Sequence, residues 1–286
     1  MMKLCCGSNL YASHSFETAL REMAKLDIHH VDIWSCPAIC DHANPDRDSV
    51  EEIRELLLKY EMTAVSMSLF LMDDKERKKR MEFASRLGIP VVIWEPAQSV
   101  DWADNMTNLN PGAVPFGRER GSFEEYMEDL RSQIELAREM GLRVGIEVPH
   151  CYTHNEYLFQ IYRTDQEIEG DGLSYILAPS HCSARGYEAE DIYRLVSSER
   201  VYMLYLWDVK KDFRFPYSDR AFGAGEEQLP GGGRRDFEKQ IRNFKEMGYQ
   251  GWYNISVHGT EGWKDWEKVS EHLKKACELV RLLLDQ

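Results

Sequence analysis

Eight times along this chain a short run of β-branched and aromatic residues gives way to an amphipathic stretch, and that rhythm constrains the fold more than any other feature. The runs are Leu4–Cys6, His30–Trp34, Ala64–Leu69, Val91–Trp94, Arg143–Val148, Leu173–Ala178, Tyr202–Asp208 and Gly251–Val257. They are too short for helices and read as buried strands. The stretches between and after them, 15–26, 48–60, 73–87, 122–140, 154–168, 188–197, 234–247 and 264–285, read as helices. In 122–140, Phe123, Met127, Leu130, Ile134, Ala137 and Met140 recur at spacings of three and four, which places them on one helical face. Ser122 with Glu125 three residues on is a capping-box pattern, and Gly141 closes the helix. Leu87-Gly88 and Met247-Gly248 end helices just before a strand in the same way. Strict strand–helix alternation implies a parallel sheet, and eight units close it. An open doubly wound sheet is the alternative, but no Gly-x-Gly-x-x-Gly follows the first strand. Gly231-Gly232-Gly233 follows a loop and reads as a turn, not a phosphate cradle. The expectation is an α/β protein, a single (β/α)₈ TIM barrel over residues 1–286.

Charge narrows the partners. With 35 Lys+Arg against 49 Asp+Glu the formal net charge is −14. No cationic field would draw nucleic acid or an anionic membrane, and the basic run Lys75 to Arg80 is interrupted by Glu76. No apolar stretch approaches the 18 or so residues of a membrane span, and the N-terminus has no signal-peptide core. Seven cysteines (5, 6, 36, 40, 151, 182 and 277) form no disulfide framework, so reduced thiols in a cytoplasmic protein are expected. Cys36-x-x-x-Cys40 with His42 suggests zinc, but no second Cys/His pair stands at finger-like spacing. Buried or loop thiols are the simpler account.

In a barrel of this kind chemistry sits where strands end and loops lead to helices. The polar and aromatic groups at those ends are Asp32 and Trp34, Trp94 and Glu95, Glu147 and His150, His181, then Tyr205, Trp207 and Asp208, and finally Asn254, Ser256 and His258. Two strand-to-helix loops, 95–121 and 208–233, are unusually long and read equally as binding loops or as plain insertions. The second carries Lys210, Lys211, Arg214 and Arg220.

Several motifs carry a resemblance. Ala-Arg-Glu-Met-Gly-Leu-Arg-Val-Gly-Ile-Glu at 137–147, Pro-Ser-His at 179–181, Gly-Gly-Arg-Arg-Asp-Phe at 232–237 and Gly-Tyr-Gln-Gly-Trp-Tyr-Asn-Ile at 248–255 occur in order and at the right spacing. Over essentially its whole length the chain resembles the xylose-isomerase-like family of sugar and sugar-phosphate isomerases, epimerases and related endonucleases. The resemblance implies one divalent cation at the barrel mouth, held by Glu, Asp, His and Glu from strands five to eight. It also implies that the two Glu residues move a proton on and off the carbon beside a carbonyl. The cation would polarise that carbonyl. Carried across residue by residue, the strand-five Glu is Glu147. The strand-six Asp falls on Ala178, the strand-seven His on Tyr205 and the strand-eight Glu on Ser256. His181 matches the family's substrate-binding histidine. The sequence therefore implies a divergent member lacking the usual divalent metal site. An atypical divalent cation held by Glu147, His181 and His258 stays open.

Two functions follow. The first is an isomerase- or epimerase-like enzyme, or a related carbon–oxygen lyase, acting by proton transfer on a sugar, keto-sugar or polyol-like substrate. Glu147 and His181 are its catalytic pair, and Trp34, Glu95, His150, Trp207, Asp208, Arg214 and His258 bind the substrate. The second is a catalytically inactive ligand-binding or regulatory protein on the same scaffold. A DNA-repair endonuclease is disfavoured by the charge. A cysteine nucleophile at Cys151 or Cys182 is a weaker idea, because each adjoins its histidine in sequence and neighbours on a strand point to opposite faces. The partner expected is a small sugar-like molecule, with neither nucleic acid nor membrane. The oligomeric state is left open, a homo-oligomer included.

Overall fold

Alternating side-chain direction sorts each apolar run into an inward and an outward set, and the computed structural model shows both sets buried. It describes residues 3–94, 123–148, 157–184, 187–212, 225–257 and 265–286. Eight strands, β1 (Leu4–Gly7), β2 (His30–Cys36), β3 (Thr63–Leu69), β4 (Val91–Trp94), β5 (Arg143–Val148), β6 (Leu173–Leu177), β7 (Val201–Leu206) and β8 (Trp252–Ile255), pair in parallel with their neighbours. β1 pairs with both β8 and β2, which closes the ring. This is the expected (β/α)₈ barrel. A two-residue strand, Cys40–Asp41, adds antiparallel to the end of β2.

The outward set (Val31 and Ile33 of β2, Val144 and Ile146 of β5, Tyr175 and Leu177 of β6, for example) packs under the helices. The inward set fills the barrel with Cys5, Val91, Ile93, Ile176, Met203, Tyr205 and Trp207. Gly145 belongs to the inward set. A Cβ there would meet Val91 Cγ1 at 3.1 Å and Ile176 Cδ1 at 3.2 Å, so the packed interior leaves room only for hydrogen.

Among the described residues the helices are α1 (Phe16–Ala24), α2 (Val50–Lys59), α3 (Asp74–Leu87), α4 (Phe123–Glu139), α5 (Tyr157–Glu167), α6 (Pro179–Ala184), α7 (Ala189–Leu195), α8 (Gly225–Gln228), α9 (Phe237–Glu246) and α10 (Trp266–Asp285). Their ends follow local chemistry. Ser49 and Glu52 form a full capping box on α2, and Asp73 caps α3. Gly88 (φ 79°) ends α3 in the left-handed conformation a side chain resists, and β4 follows at once. The proposed cap Ser122 lies outside the described residues. On α10, Val269, Leu273, Ala276, Val280 and Leu283 form a buried stripe. Its larger members stabilise the closing helix by about 1.5–3 kcal/mol each.

The apparent basic run of α3 is partly interior. Arg80, 1 % exposed, donates to Glu76 at 2.7 Å, to Asp41 at 2.5 Å and to Ser35, while the Arg77 guanidinium lies 4.6 Å from the Trp94 ring centroid. These arginines tie the β2 hairpin and the end of β4 to α3. The sixth strand also stops early: β6 ends at Leu177, and Pro179 starts α6 at a position where its missing N–H costs nothing. His181 thus rides on a short helix at the barrel mouth. The six described cysteines are buried and free. Although Cys36 and Cys40 face each other across the hairpin, His42 directs Nε2 to the His14 carbonyl at 2.9 Å.

Candidate functional site

Glu147 is the penultimate residue of β5, and its alternation with the outward-facing Ile146 and Val148 turns it into the barrel. His181 reaches the same place from α6, and its Nε2 lies 3.6 Å from Glu147 Oε1. Both are deeply buried, at 7 % and 3 % exposure. The gap is longer than a hydrogen bond, so the contact is electrostatic. Burial pushes the Glu147 carboxyl up to about 8. Its neutral form therefore dominates at pH 7. Trp207 lies edge-on to the His181 imidazole, with ring centroids 4.7 Å apart. Ser180 fixes α6 by donating to the Trp207 carbonyl at 2.8 Å.

Asp208 has a supporting part. Its carboxylate accepts from the backbone N–H groups of Val209 (2.8 Å), Gly233 (3.2 Å), Arg234 (2.9 Å) and Arg235 (2.9 Å). Consecutive amides of the glycine-rich turn thus converge on a carboxylate of the protein itself, as they would on a bound anion. A Cβ on Gly233 would collide with the Asp208 carboxylate and the Val209 carbonyl, so glycine is what permits the approach. The turn is held, and no phosphate cradle is left open.

Trp34, 6 % exposed, donates its indole N–H to Asp32 Oδ2 at 3.1 Å and packs against Phe70. Ser256 Oγ meets Asn9 Oδ1 at 3.0 Å, and Asn9 donates to the Val257 carbonyl at 2.6 Å. Glu147, His181 and Trp207 are thus brought together, while Asp208 and Trp34 are engaged in neighbouring networks. Glu95, His150, Arg214 and His258 lie outside the described residues, as do the loop 95–121 and residues 213–224 of the second loop.

The model of the xylose isomerase-like TIM barrel family matches residues 20–277. The chain belongs to this family. A search of curated proteins found no match. Among solved structures, the IOLI protein with a bound zinc atom is similar with a TM-score of 0.70 at 18 % identity, covering 96 % of each chain. D-psicose 3-epimerase in the presence of D-fructose is similar at 0.69 and 13 % identity, with 100 % of both chains covered. The 3-keto-D-glucoside 4-epimerase of E. coli gives 0.67 at 12 % identity, over 97 % of this chain and 100 % of that one. At such identities the likeness is one of fold.

The side chains of this family member fit a divalent cation poorly at the positions the family resemblance marks for ligands. Ala178 offers no donor atom, the Tyr205 hydroxyl lies against Ser68, and Ser256 bonds Asn9. Among the described residues, no three His, Cys, Asp or Glu side chains form a group that could hold a metal. Cys182, beside His181, is fully buried with its thiol pushed up by burial, the opposite of an activated nucleophile.

Ser66 and Ser68 were not among the residues the sequence marked for the site. They stand as polar residues on an otherwise apolar strand, and both reach Asp32, at 2.7 Å and at 2.9 to 3.0 Å. Polar residues at alternating positions in a buried strand were the available signal.

Proposed function

We propose that this xylose-isomerase-like barrel acts as an isomerase- or epimerase-like enzyme, moving a proton on a sugar, keto-sugar or related polyol-like substrate. The observation behind it is the Glu147–His181 pair: a carboxyl lifted to about 8 beside an imidazole 3.6 Å away, at the strand ends where such barrels do chemistry. A group tuned near neutrality donates and accepts protons with little driving-force penalty. Glu147 would exchange a proton with the carbon beside a carbonyl, and His181 would orient it or hold the substrate oxygen. Trp207 would buttress His181, and Asp208 would shape the mouth by holding its turn. Glu95, His150, Arg214 and His258 join as substrate-binding residues on sequence grounds alone. The epimerases among the structural neighbours agree with this chemistry.

The second reading, a ligand-binding protein on the same scaffold, draws on Ala178, Tyr205 and Ser256 at the ligand positions. The test is incubation of metal-stripped protein with ketohexoses and keto-sugars in deuterated water, followed by NMR at the carbon beside the carbonyl. Deuterium incorporation that Glu147→Gln abolishes supports the enzyme. Ligand-induced thermal stabilisation with no incorporation across the panel would replace it with the second reading.

A further inference from the structure

A second set of polar side chains lies inside the barrel, and the Glu147–His181 chemistry leaves it unused. Asp32 of β2 is fully buried. Its Oδ1 accepts from Ser66 Oγ at 2.7 Å, and Ser68 Oγ lies 3.0 Å from Oδ1 and 2.9 Å from Oδ2. Oδ2 also receives Trp34 Nε1 at 3.1 Å and Asn254 Nδ2 at 3.4 Å. Ser68 Oγ in turn lies 3.3 Å from the Tyr205 hydroxyl. An unbroken hydroxyl path therefore runs from Asp32 through Ser68 to Tyr205.

The two sides of the carboxylate differ in kind. Indole and amide N–H groups only donate, so Trp34 and Asn254 keep Oδ2 an acceptor. Ser68 reaches both oxygens, but Oδ1 meets serine hydroxyls alone, which rotate and reverse, so Oδ1 is where a proton would land.

We propose that Tyr205, Ser68 and Asp32 form a proton relay that takes up and returns the hydroxyl proton of an α-hydroxy-carbonyl substrate, as the oxygen-side counterpart of Glu147. The inference rests on the proton-transfer function proposed above. Enolisation of such a substrate moves a proton at carbon and leaves charge on oxygen. Tyr205 lies close enough to both Glu147 and Asp32 to feel their charges, so the phenol stands between the carbon-side group and the Ser68–Asp32 outlet. In the uptake step the substrate O–H bond breaks and its proton joins the Tyr205 oxygen. The Tyr205 proton passes to Ser68 Oγ, and the Ser68 proton passes to Asp32 Oδ1. Tyr205 and Ser68 end as they began, and Asp32 changes from carboxylate to carboxylic acid. The return step runs the same transfers backwards.

The electrostatics suit a store of this kind. Burial lifts Asp32 to about 6 while its four donors hold it down, so it loads and unloads near neutral pH. Among the described residues, the titratable groups facing it are Cys5 of β1 and Tyr205 and Tyr202 of β7, all held neutral by burial.

The full-length protein is titrated by infrared spectroscopy, with Asp32→Asn identifying the Asp32 carboxylic-acid band. Tyr205→Phe and Ser68→Ala are expected to shift the frequency and midpoint of that band. Bands identical to wild type in both variants overturn the relay, whether or not any sugar is turned over. With D-fructose in deuterated water as the activity probe, both variants are expected to slow carbon exchange roughly 100-fold. Each should also lose the wild-type solvent isotope effect on kcat, and Ser68→Thr, which returns the hydroxyl, should restore most of what Ser68→Ala loses. Wild-type rates and isotope effects in folded Tyr205→Phe overturn the relay while leaving the Glu147 reading intact. Absence of exchange in the wild type counts against that reading, and the infrared titration still decides the hydroxyl path.

Discussion

Replacing Glu147 by Gln should make the protein more stable as it removes the proposed acid/base, and the gain should grow with pH. Burial raises the folded-state carboxyl from the ordinary 4.5 to about 8. An acid raised in the folded state ionises first in the unfolded chain. Its favourable contribution is therefore fully present below pH 4.5 and is lost as pH rises to about 8. The lift corresponds to roughly 5 kcal/mol once ionisation is complete, and to about 3 kcal/mol at pH 7. The nearby His181, when protonated, offsets part of that by attracting the carboxylate. Glutamine has nearly the same shape and no charge to bury, so it escapes the penalty. Urea unfolding of wild type and Glu147→Gln at pH 5, 7 and 9 measures the difference. We expect near-equal stabilities at pH 5, an advantage for the variant of about 3 kcal/mol at pH 7, and a larger one at pH 9. Parallel pH profiles for the two proteins would refute the argument, because burial would then not be holding Glu147 neutral.

Asp208→Ala should cost roughly 2–4 kcal/mol in urea unfolding, since four backbone N–H groups lose a charged acceptor, with raised protease cleavage near the 233–235 turn as the accompanying sign. Gly145→Ala should cost about 1–3 kcal/mol in the same assay, because the added methyl is met by Val91 and Ile176 at 3.1–3.2 Å in a filled interior. Cys182 is expected to resist iodoacetamide in the folded protein and react only on unfolding, its thiol being buried and held protonated, as mass spectrometry would show.

Much of the scaffold was legible because its signals are local. The spacing of Phe123, Met127, Leu130, Ile134 and Ala137 marks one helix face without reference to the rest of the chain, and α4 occupies Phe123–Glu139. Gly88 and Gly141 announce helix ends through the positive φ they adopt. The short helix α6 was less easily read, because its six residues, starting at Pro179 directly after the Leu173–Ala178 run, are too few to show a helical period. Arg77 and Arg80 belong to the basic run Lys75 to Arg80 of α3. Their burial depends on Trp94, Asp41 and Ser35, which local pattern cannot bring alongside.

The candidate site divides the same way. Glu147 and His181 stood out as ionisable residues at the ends of apolar runs, and their side chains meet. Asp208 stood out equally. Only the fold shows that its carboxylate receives amides some 25–27 residues further on. By itself the sequence determined the strand–helix alternation, the closed barrel it implies, and the identity of the residues at the strand ends. Tertiary structure decided which of them share a contact or a hydrogen bond. Barrel closure carries Ser68 to Tyr205 across 137 residues and Asp32 to Asn254 across 222, and side-chain periodicity, which reaches only a few residues, cannot encode such pairs.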